Sequence, residues 1–124
     1  MRNTIALISH DQKKKEMLAF CMKHQNRLGR MSLIATGTTG ARIAEATGLP
    51  VECVLSGAGG GDVQIAARVA TGEVEAVVFL CDPLGAHPHE PDVRLFLRVC
   101  GLQNVPLAVN LAMAELLIRA LPLP

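Results

Sequence analysis

Leu33-Ile34-Ala35-Thr36-Gly37-Thr38-Thr39-Gly40 reads as a short apolar strand running into a hydroxyl- and glycine-rich turn that opens a helix. The glycines let the backbone approach a ligand closely, and the first N–H groups of a helix have no intrahelical partner. The helix dipole adds partial positive charge at the same point, so phosphate is the natural guest. No Gly-Lys-Ser/Thr follows, which separates the turn from a nucleotide P-loop. A hydroxyl-capped helix start without any ligand has the same local pattern, so the rest of the chain has to decide.

Outward from this turn, short apolar runs alternate with helical periods. Thr4 to Ser9 is a strand, and Gln12 to about Asn26 a helix with Met17, Leu18, Cys21 and Met22 on one face. Leu33 to Ala35 is the second strand, and Thr39 to Thr47 a helix stopped at Gly48 and Pro50. Val51 to Leu55 is the third strand, followed by a glycine-rich turn and a helix from about Asp62 to Ala70. Val74 to Cys81 is the fourth strand, followed by a loop rich in proline and histidine and a helix near Pro91 to Cys100. Pro106 to Val109 and Ala112 to Leu121 complete the series. Continuous apolar strands alternating with helices predict an α/β fold: one doubly wound, mostly parallel five-stranded sheet with helices on both faces. No repeat or linker interrupts it, and residues 1–124 are expected to form one domain.

The composition narrows the function. Half of the residues are hydrophobic, yet the only aromatics are three Phe, so the core must come from Leu, Val, Ile, Ala and Met. A formal net charge of +1 gives no electrostatic case for nucleic acid or an acidic membrane as partner. Cys21, Cys53, Cys81 and Cys100 form no Cys-x-x-Cys pair, which removes zinc ribbons and thioredoxin-type chemistry. Cys53 and Cys81 lie in apolar strands and are expected to be buried thiols. His24 is expected at the surface. The longest apolar runs reach only about six residues, so no leader or membrane span is expected. Free thiols then suggest a reducing cytoplasm.

Ligands of open parallel sheets bind beyond the carboxyl ends of the strands. Each strand here ends in unusual polar residues: His10-Asp11, Thr36 to Gly40, Ser56 to Asp62, Asp82 to Asp92, and Asn110. Asp62 follows a glycine-rich turn, so a substrate can lie against bare backbone with a carboxylate beside it as general base. His10 and His89 can polarise a carbonyl or move a proton, and Asp82 and Asp92 can orient a histidine or join the acid–base set. A phosphate cradle, a carboxylate base and histidines together suggest proton abstraction beside a carbonyl in a small phosphorylated substrate. Plainer readings stand beside each of these. Asp11 can cap the first helix, Gly59 to Gly61 can be a flexible turn, and Asp82-Pro83 can be a turn opener. One of Lys13, Lys14 and Lys15 can face a phosphate while the others form a solvated surface. His87-Pro88-His89 can ligate a metal with His10 or Asp92, although the spacing matches no familiar zinc pattern.

Ile5-Ala6-Leu7-Ile8-Ser9-His10-Asp11, Ala35-Thr36-Gly37-Thr38-Thr39-Gly40, Ala46-Thr47-Gly48, Leu55-Ser56-Gly57 with Gly60-Gly61-Asp62, and Asp82-Pro83-Leu84 with Pro88-His89-Glu90-Pro91-Asp92 together resemble the methylglyoxal synthase family. They extend over nearly the whole chain in the family's order. The resemblance implies a lyase that converts dihydroxyacetone phosphate to methylglyoxal and inorganic phosphate through an enediolate, without metal or organic cofactor. By matching position it implies Asp62 as the base. His89 and Asp92 would assist proton movement and stabilise the enediolate, His10 would contact the reacting end, and His89 would also bind the substrate. Lys14, Thr36, Thr38, Thr39, Gly40, Ser56 and Gly57 would hold the phosphate and the substrate backbone, with Asp11 and Asp82 in support. Lys14 is chosen among the lysines because relatives share its spacing from His10. The family is typically a homohexamer.

The chain departs from the family at Ala58 and Gly59, at Val63 and Ala66, and at Gly85 and His87. The extra glycine is expected to loosen the loop that positions Asp62 and to hold turnover below that of relatives. Relatives run on with a charged tail that can supply a phosphate-contacting arginine. Ending at Pro124, this chain is either shortened or expected to hold phosphate less tightly. The rival from another class is a phosphate- or phosphometabolite-sensing module of the same fold, as in the regulatory domain of carbamoyl phosphate synthetase. That reading predicts loss of the acid–base groups, whereas Asp62, His10, His89 and Asp92 are all present.

Overall fold

The computed structural model describes residues 3–85 and 90–122. Five parallel strands form one sheet: β1 (Thr4–Ser9), β2 (Ser32–Ala35), β3 (Glu52–Cys53), β4 (Ala76–Leu80) and β5 (Leu107–Ala108). Their spatial order is β3-β2-β1-β4-β5. The chain therefore winds outward from β1 to β3, returns to the middle at β4, and winds outward again. The reversal lies between β1 and β4, where the connections leave in opposite directions and open a crevice at the carboxyl ends of the strands.

Among the described residues six α-helices cover the sheet: α1 (Lys14–Lys23), α2 (Gln25–Leu28), α3 (Gly37–Thr47), α4 (Gly61–Ala70), α5 (Val93–Gln103) and α6 (Leu111–Ala120). Alternation along β1 divides the core in two. Ile5 and Leu7 pack with Met17, Phe20 and Cys21 of α1, Ile43 of α3, and Ala114 and Ile118 of α6. Ala6 and Ile8 pack on the other face with Ile65 and Val69 of α4 and Phe96 and Val99 of α5. The doubly wound α/β architecture expected from the sequence is the one observed.

Helix ends follow local chemistry. Asp92 caps α5 by accepting the Arg94 N–H at 2.9 Å, and Asn110 caps α6 by accepting that of Met113 at 2.9 Å. Gly48 ends α3 at φ 73°, a left-handed conformation that favours glycine. The first predicted helix is divided: a 3-10 turn over Asp11–Lys13 precedes α1, and the chain turns at His24 before α2. No helix among the described residues is long and apolar enough to cross a membrane.

Two expectations about single residues are corrected. Cys53 is exposed, because β3 is a two-residue edge strand rather than the five-residue strand predicted, and Cys81 is only half-buried. Burial pushes the Cys21 thiol up to about 12 and those of Cys81 and Cys100 up to about 11. A thiol reagent at neutral pH is therefore expected to modify Cys53 first and Cys21 only after unfolding. Equal labelling rates at Cys53 and Cys21 in the native protein would contradict this.

His24 is not a free surface residue. Its Nε2 lies 2.9 Å from Glu115 Oε2, with the two side chains 12% and 18% exposed. The pair ties the end of α1 to α6. The hydrogen bond from His24, followed by that from Lys23, holds the Glu115 carboxyl below its ordinary range. A depressed carboxylate stabilises the fold above its unfolded-state pKa, and that stabilisation is lost as pH falls through the folded value. His24→Ala is expected to move the acid-unfolding midpoint to higher pH. Acid titration followed by circular dichroism reads this shift, and an unchanged midpoint would count against the pair.

Candidate active site

The site lies at the carboxyl edge of β1, β2 and β4. Helix α3 starts at Gly37, two residues earlier than predicted. The Gly40 N–H closes the first intrahelical bond on the Thr36 carbonyl at 2.8 Å, and the Gly37 N–H donates to the Leu55 carbonyl at 3.1 Å. That leaves the Thr38 and Thr39 N–H groups at the open end of the helix. Thr36 occupies the cap position without a side-chain cap bond, and the Thr39 hydroxyl meets Ser9 Oγ at 3.3 Å.

A cavity of about 270 Å³ opens over this helix end, lined by Ser9, Asp11, Lys14, Thr36, Thr38, Thr39, Ser56, Gly57, Ala58, Glu90 and Pro91. Lys14 Nζ pairs with Asp11 Oδ1 at 2.7 Å, and that hydrogen bond holds the Asp11 carboxyl below its usual range. Lys13 instead lines a separate apolar cleft and pairs with Glu16 at 3.3 Å, while Lys15 is exposed. The cradle thus combines one ammonium, several hydroxyls and helix-end amides in a space suited to a phosphate.

A second cavity, of about 490 Å³, is lined by His10, Cys81, Asp82, Pro83, Gly85, Glu90, Pro91, Asp92, Val93 and Arg94. Glu90 and Pro91 line both, so this short segment divides the two cavities. His10 is 5% exposed and stands edge-on to Phe79 with ring centroids 5.2 Å apart. Its Nδ1 accepts the Asp82 N–H at 2.9 Å, and its Nε2 lies 2.9 Å from the Pro91 carbonyl oxygen. A carbonyl only accepts, so this geometry assigns the proton to Nε2. Asp82 Oδ1 accepts the Leu84 N–H at 3.0 Å, the turn-opening arrangement that Asp82-Pro83 suggested.

Asp62 is 8% exposed and lines neither cavity. It stands in the first turn of α4, where Oδ1 accepts the Val63 N–H at 3.0 Å and Oδ2 the Asp92 N–H at 3.0 Å. The turn before it is ordered by Ser56, whose carbonyl accepts from Gly59 at 3.0 Å and Gly61 at 2.8 Å. Ser56 Oγ also accepts from Gly59 N at 3.2 Å. Gln64 Oε1 accepts the Leu55 N–H at 2.8 Å and fastens the other side of the loop. The Asp92 carboxylate is engaged by Arg94, whose hydrogen bonds hold it below the usual range.

The structure therefore brings Asp11, Lys14, Thr36, Thr38, Thr39, Ser56 and Gly57 to one cavity, and His10, Asp82 and Asp92 to its neighbour. Asp62 reaches the second group through the Asp92 backbone. Gly40 lines neither cavity; a Cβ there would lie 2.6 Å from Cys53 Sγ, so this glycine lets α3 pack on β3. His87 and His89 lie outside the described residues, and with them the proposed histidine metal pair. Sequence reasoning assigned no role to Ser9, Ala58, Glu90 or Pro91. Ser9 had a signal, as the last strand residue before His10. Pro91 had none in its chemistry, because it acts by shape: a Cβ on Gly57 would fall 2.5 Å from Pro91 Cδ.

The chain is similar to known proteins along most of its length. The MGS-like domain family model matches residues 16–109. The chain is 66% identical over 114 residues to methylglyoxal synthase of Thermus thermophilus, covering 92% of this chain and 90% of that protein. It is 55% identical over 117 residues to methylglyoxal synthase of Carboxydothermus hydrogenoformans, covering 94% and 97%. The crystal structure of methylglyoxal synthase from Elizabethkingia anophelis superimposes with a TM-score of 0.91 at 41% identity, covering 98% of this chain and 79% of that one. Similarity of this extent, over nearly the whole chain, means that the chain belongs to the methylglyoxal synthase family.

Proposed function

We propose that the chain converts dihydroxyacetone phosphate to methylglyoxal and inorganic phosphate, with Asp62 as the base. Lys14, the Thr36, Thr38, Thr39 and Ser56 hydroxyls and the Gly57 backbone hold the phosphate and substrate backbone, while Gly40 serves by letting α3 pack on β3. Asp62 takes a proton from the hydroxymethyl carbon. The electron pair moves onto the carbonyl oxygen as an enediolate, where preorganised donors lower the barrier most. His10 Nε2–H is such a donor, and a substrate oxygen competes for it with the Pro91 carbonyl. The hydroxyl on the former hydroxymethyl carbon then gives up its proton and becomes the aldehyde carbonyl, the double bond shifts, and the C–O ester bond breaks to release phosphate, with Lys14 and the α3 amides stabilising the departing anion. The remaining enol takes a proton on carbon to give methylglyoxal, and His89 and Asp92 assist these transfers.

The observation that supports this reading is a nearly buried carboxylate, Asp62, that accepts the backbone N–H of Asp92, a residue lining the histidine cavity. The sensing-module alternative is not favoured, given this chain's likeness to methylglyoxal synthases along most of its length. In this proposal residues 1–124 work as one domain, in the cytoplasm, within a homohexamer, and without a metal or organic cofactor. The decisive experiment incubates the purified chain with dihydroxyacetone phosphate and measures methylglyoxal and phosphate together. Equal formation of both is expected. Phosphate binding without turnover would transfer the proposal to the sensing module.

A further inference from the structure

Three consecutive residues make three unlike contacts across the site. The Glu90 Oε1 atom accepts the backbone N–H of Asp11, at the start of the 3-10 turn that leads into α1. The Pro91 carbonyl faces His10 Nε2 at 2.9 Å, and the Asp92 N–H donates to Asp62 Oδ2 at 3.0 Å. Pro91 also packs on Gly57, where no side chain fits between them. The segment thus touches the histidine and the base one residue apart. Two of the three contacts come from backbone atoms that cannot choose their own position. The Glu90 contact is the one made by a side chain, and its partner is the residue next to His10.

We infer that Glu90 is a positioning residue: its carboxylate on the Asp11 N–H sets the register in which Pro91 meets His10 and the Asp92 N–H meets Asp62. The Asp11 N–H is an orphan donor at a helical start, and a carboxylate oxygen is the strong acceptor for it. Without that contact the segment shifts against β1. The Pro91 carbonyl and Asp92 N–H then move together, away from the two groups they orient. Glu90 touches no reacting atom in this scheme. A displacement of about 1 Å at such a place is enough to slow a reaction on the order of a hundredfold.

The inference rests on the roles of Asp62 and His10 proposed above. Its test compares the wild-type chain with Glu90→Ala and Glu90→Gln for kcat, KM and inhibition by inorganic phosphate. Glu90→Ala is expected to lower kcat about 10- to 100-fold without weakening phosphate inhibition, because the carboxylate that Glu90 adds to the wall of the cradle repels an anion rather than holding it. Glu90→Gln is expected to recover most of the turnover, because its amide oxygen still accepts the Asp11 N–H. Should the alanine variant not fold, Glu90→Met, of similar length and without an oxygen acceptor, takes its place. Full kcat in Glu90→Ala would overturn the inference while leaving the proposed reaction standing. So would a glutamine variant as slow as the alanine one, or phosphate inhibition that weakens in step with kcat. A wild-type chain that forms no methylglyoxal would overturn the reaction itself and the inference with it.

Discussion

Asp62→Asn is expected to lower turnover by about a thousandfold, within the range for removing a positioned general base. The amide has nearly the shape of the carboxylate but cannot take the substrate proton. Its oxygen can still accept the Asp92 N–H that Asp62 Oδ2 now accepts. The loop contact survives, so the melting temperature should stay near that of the wild type. Methylglyoxal and phosphate release are expected to fall together, because both follow the same proton abstraction. A variant within tenfold of wild type would remove Asp62 from the role of base. Loss of activity accompanied by a large fall in melting temperature would assign it to structure instead.

Gly61→Ala should be comparably damaging for a different reason. A Cβ at Gly61 would lie 1.8 Å from the Leu55 carbonyl oxygen and 2.7 Å from its carbon. These are backbone atoms, tied down by the Gly37 N–H on the Leu55 carbonyl and Gln64 on the Leu55 N–H. The loop has to move, and Asp62 moves with it. Overpacking of this kind costs about 3 kcal/mol, a fall in melting temperature of roughly 10 °C for a chain of this length. Activity should drop by at least the order of a hundredfold, as expected when a base is displaced. A variant that melts and turns over like the wild type would show that the loop yields without moving Asp62.

Gly59 forms the contrast within the same turn. Its φ is not positive, and a Cβ there would meet only Ser56 Oγ at 3.2 Å and Leu55 Cβ at 3.8 Å. A side chain fits this backbone once Ser56 Oγ gives by a few tenths of an ångström, and it would leave the loop less freedom than glycine does. Gly59→Leu is expected to raise turnover modestly by restricting the loop before Asp62. A variant no faster than the wild type would remove loop looseness as a brake on this enzyme.

Much of the fold was legible because helix and strand periodicity are written in short-range side-chain direction. All five strands and the helices between them were readable in order, as was the gathering of polar groups at one sheet edge. Helix starts were less legible. Gly37 lies inside α3 because its N–H finds the Leu55 carbonyl, a partner eighteen residues along the chain that no local pattern shows. Cys53 was misread for a related reason. Apolar neighbours suggest a buried strand, but only the strand order makes β3 a short edge. His24 likewise depends on Glu115, 91 residues away.

The sequence by itself determined the fold class, the family and the residue types at the site, since these rest on local periodicity and motif order. The tertiary structure decided how the site is wired. Because β4 returns beside β1, the Asp82 N–H reaches His10; because α4 and α5 share a face, the Asp92 N–H reaches Asp62. The same winding turns Lys14 toward the threonine cradle and Lys13 away from it. Those contacts join residues 30 to 72 positions apart, and contacts at such range are set by the order in which strands pack, which no local stretch encodes.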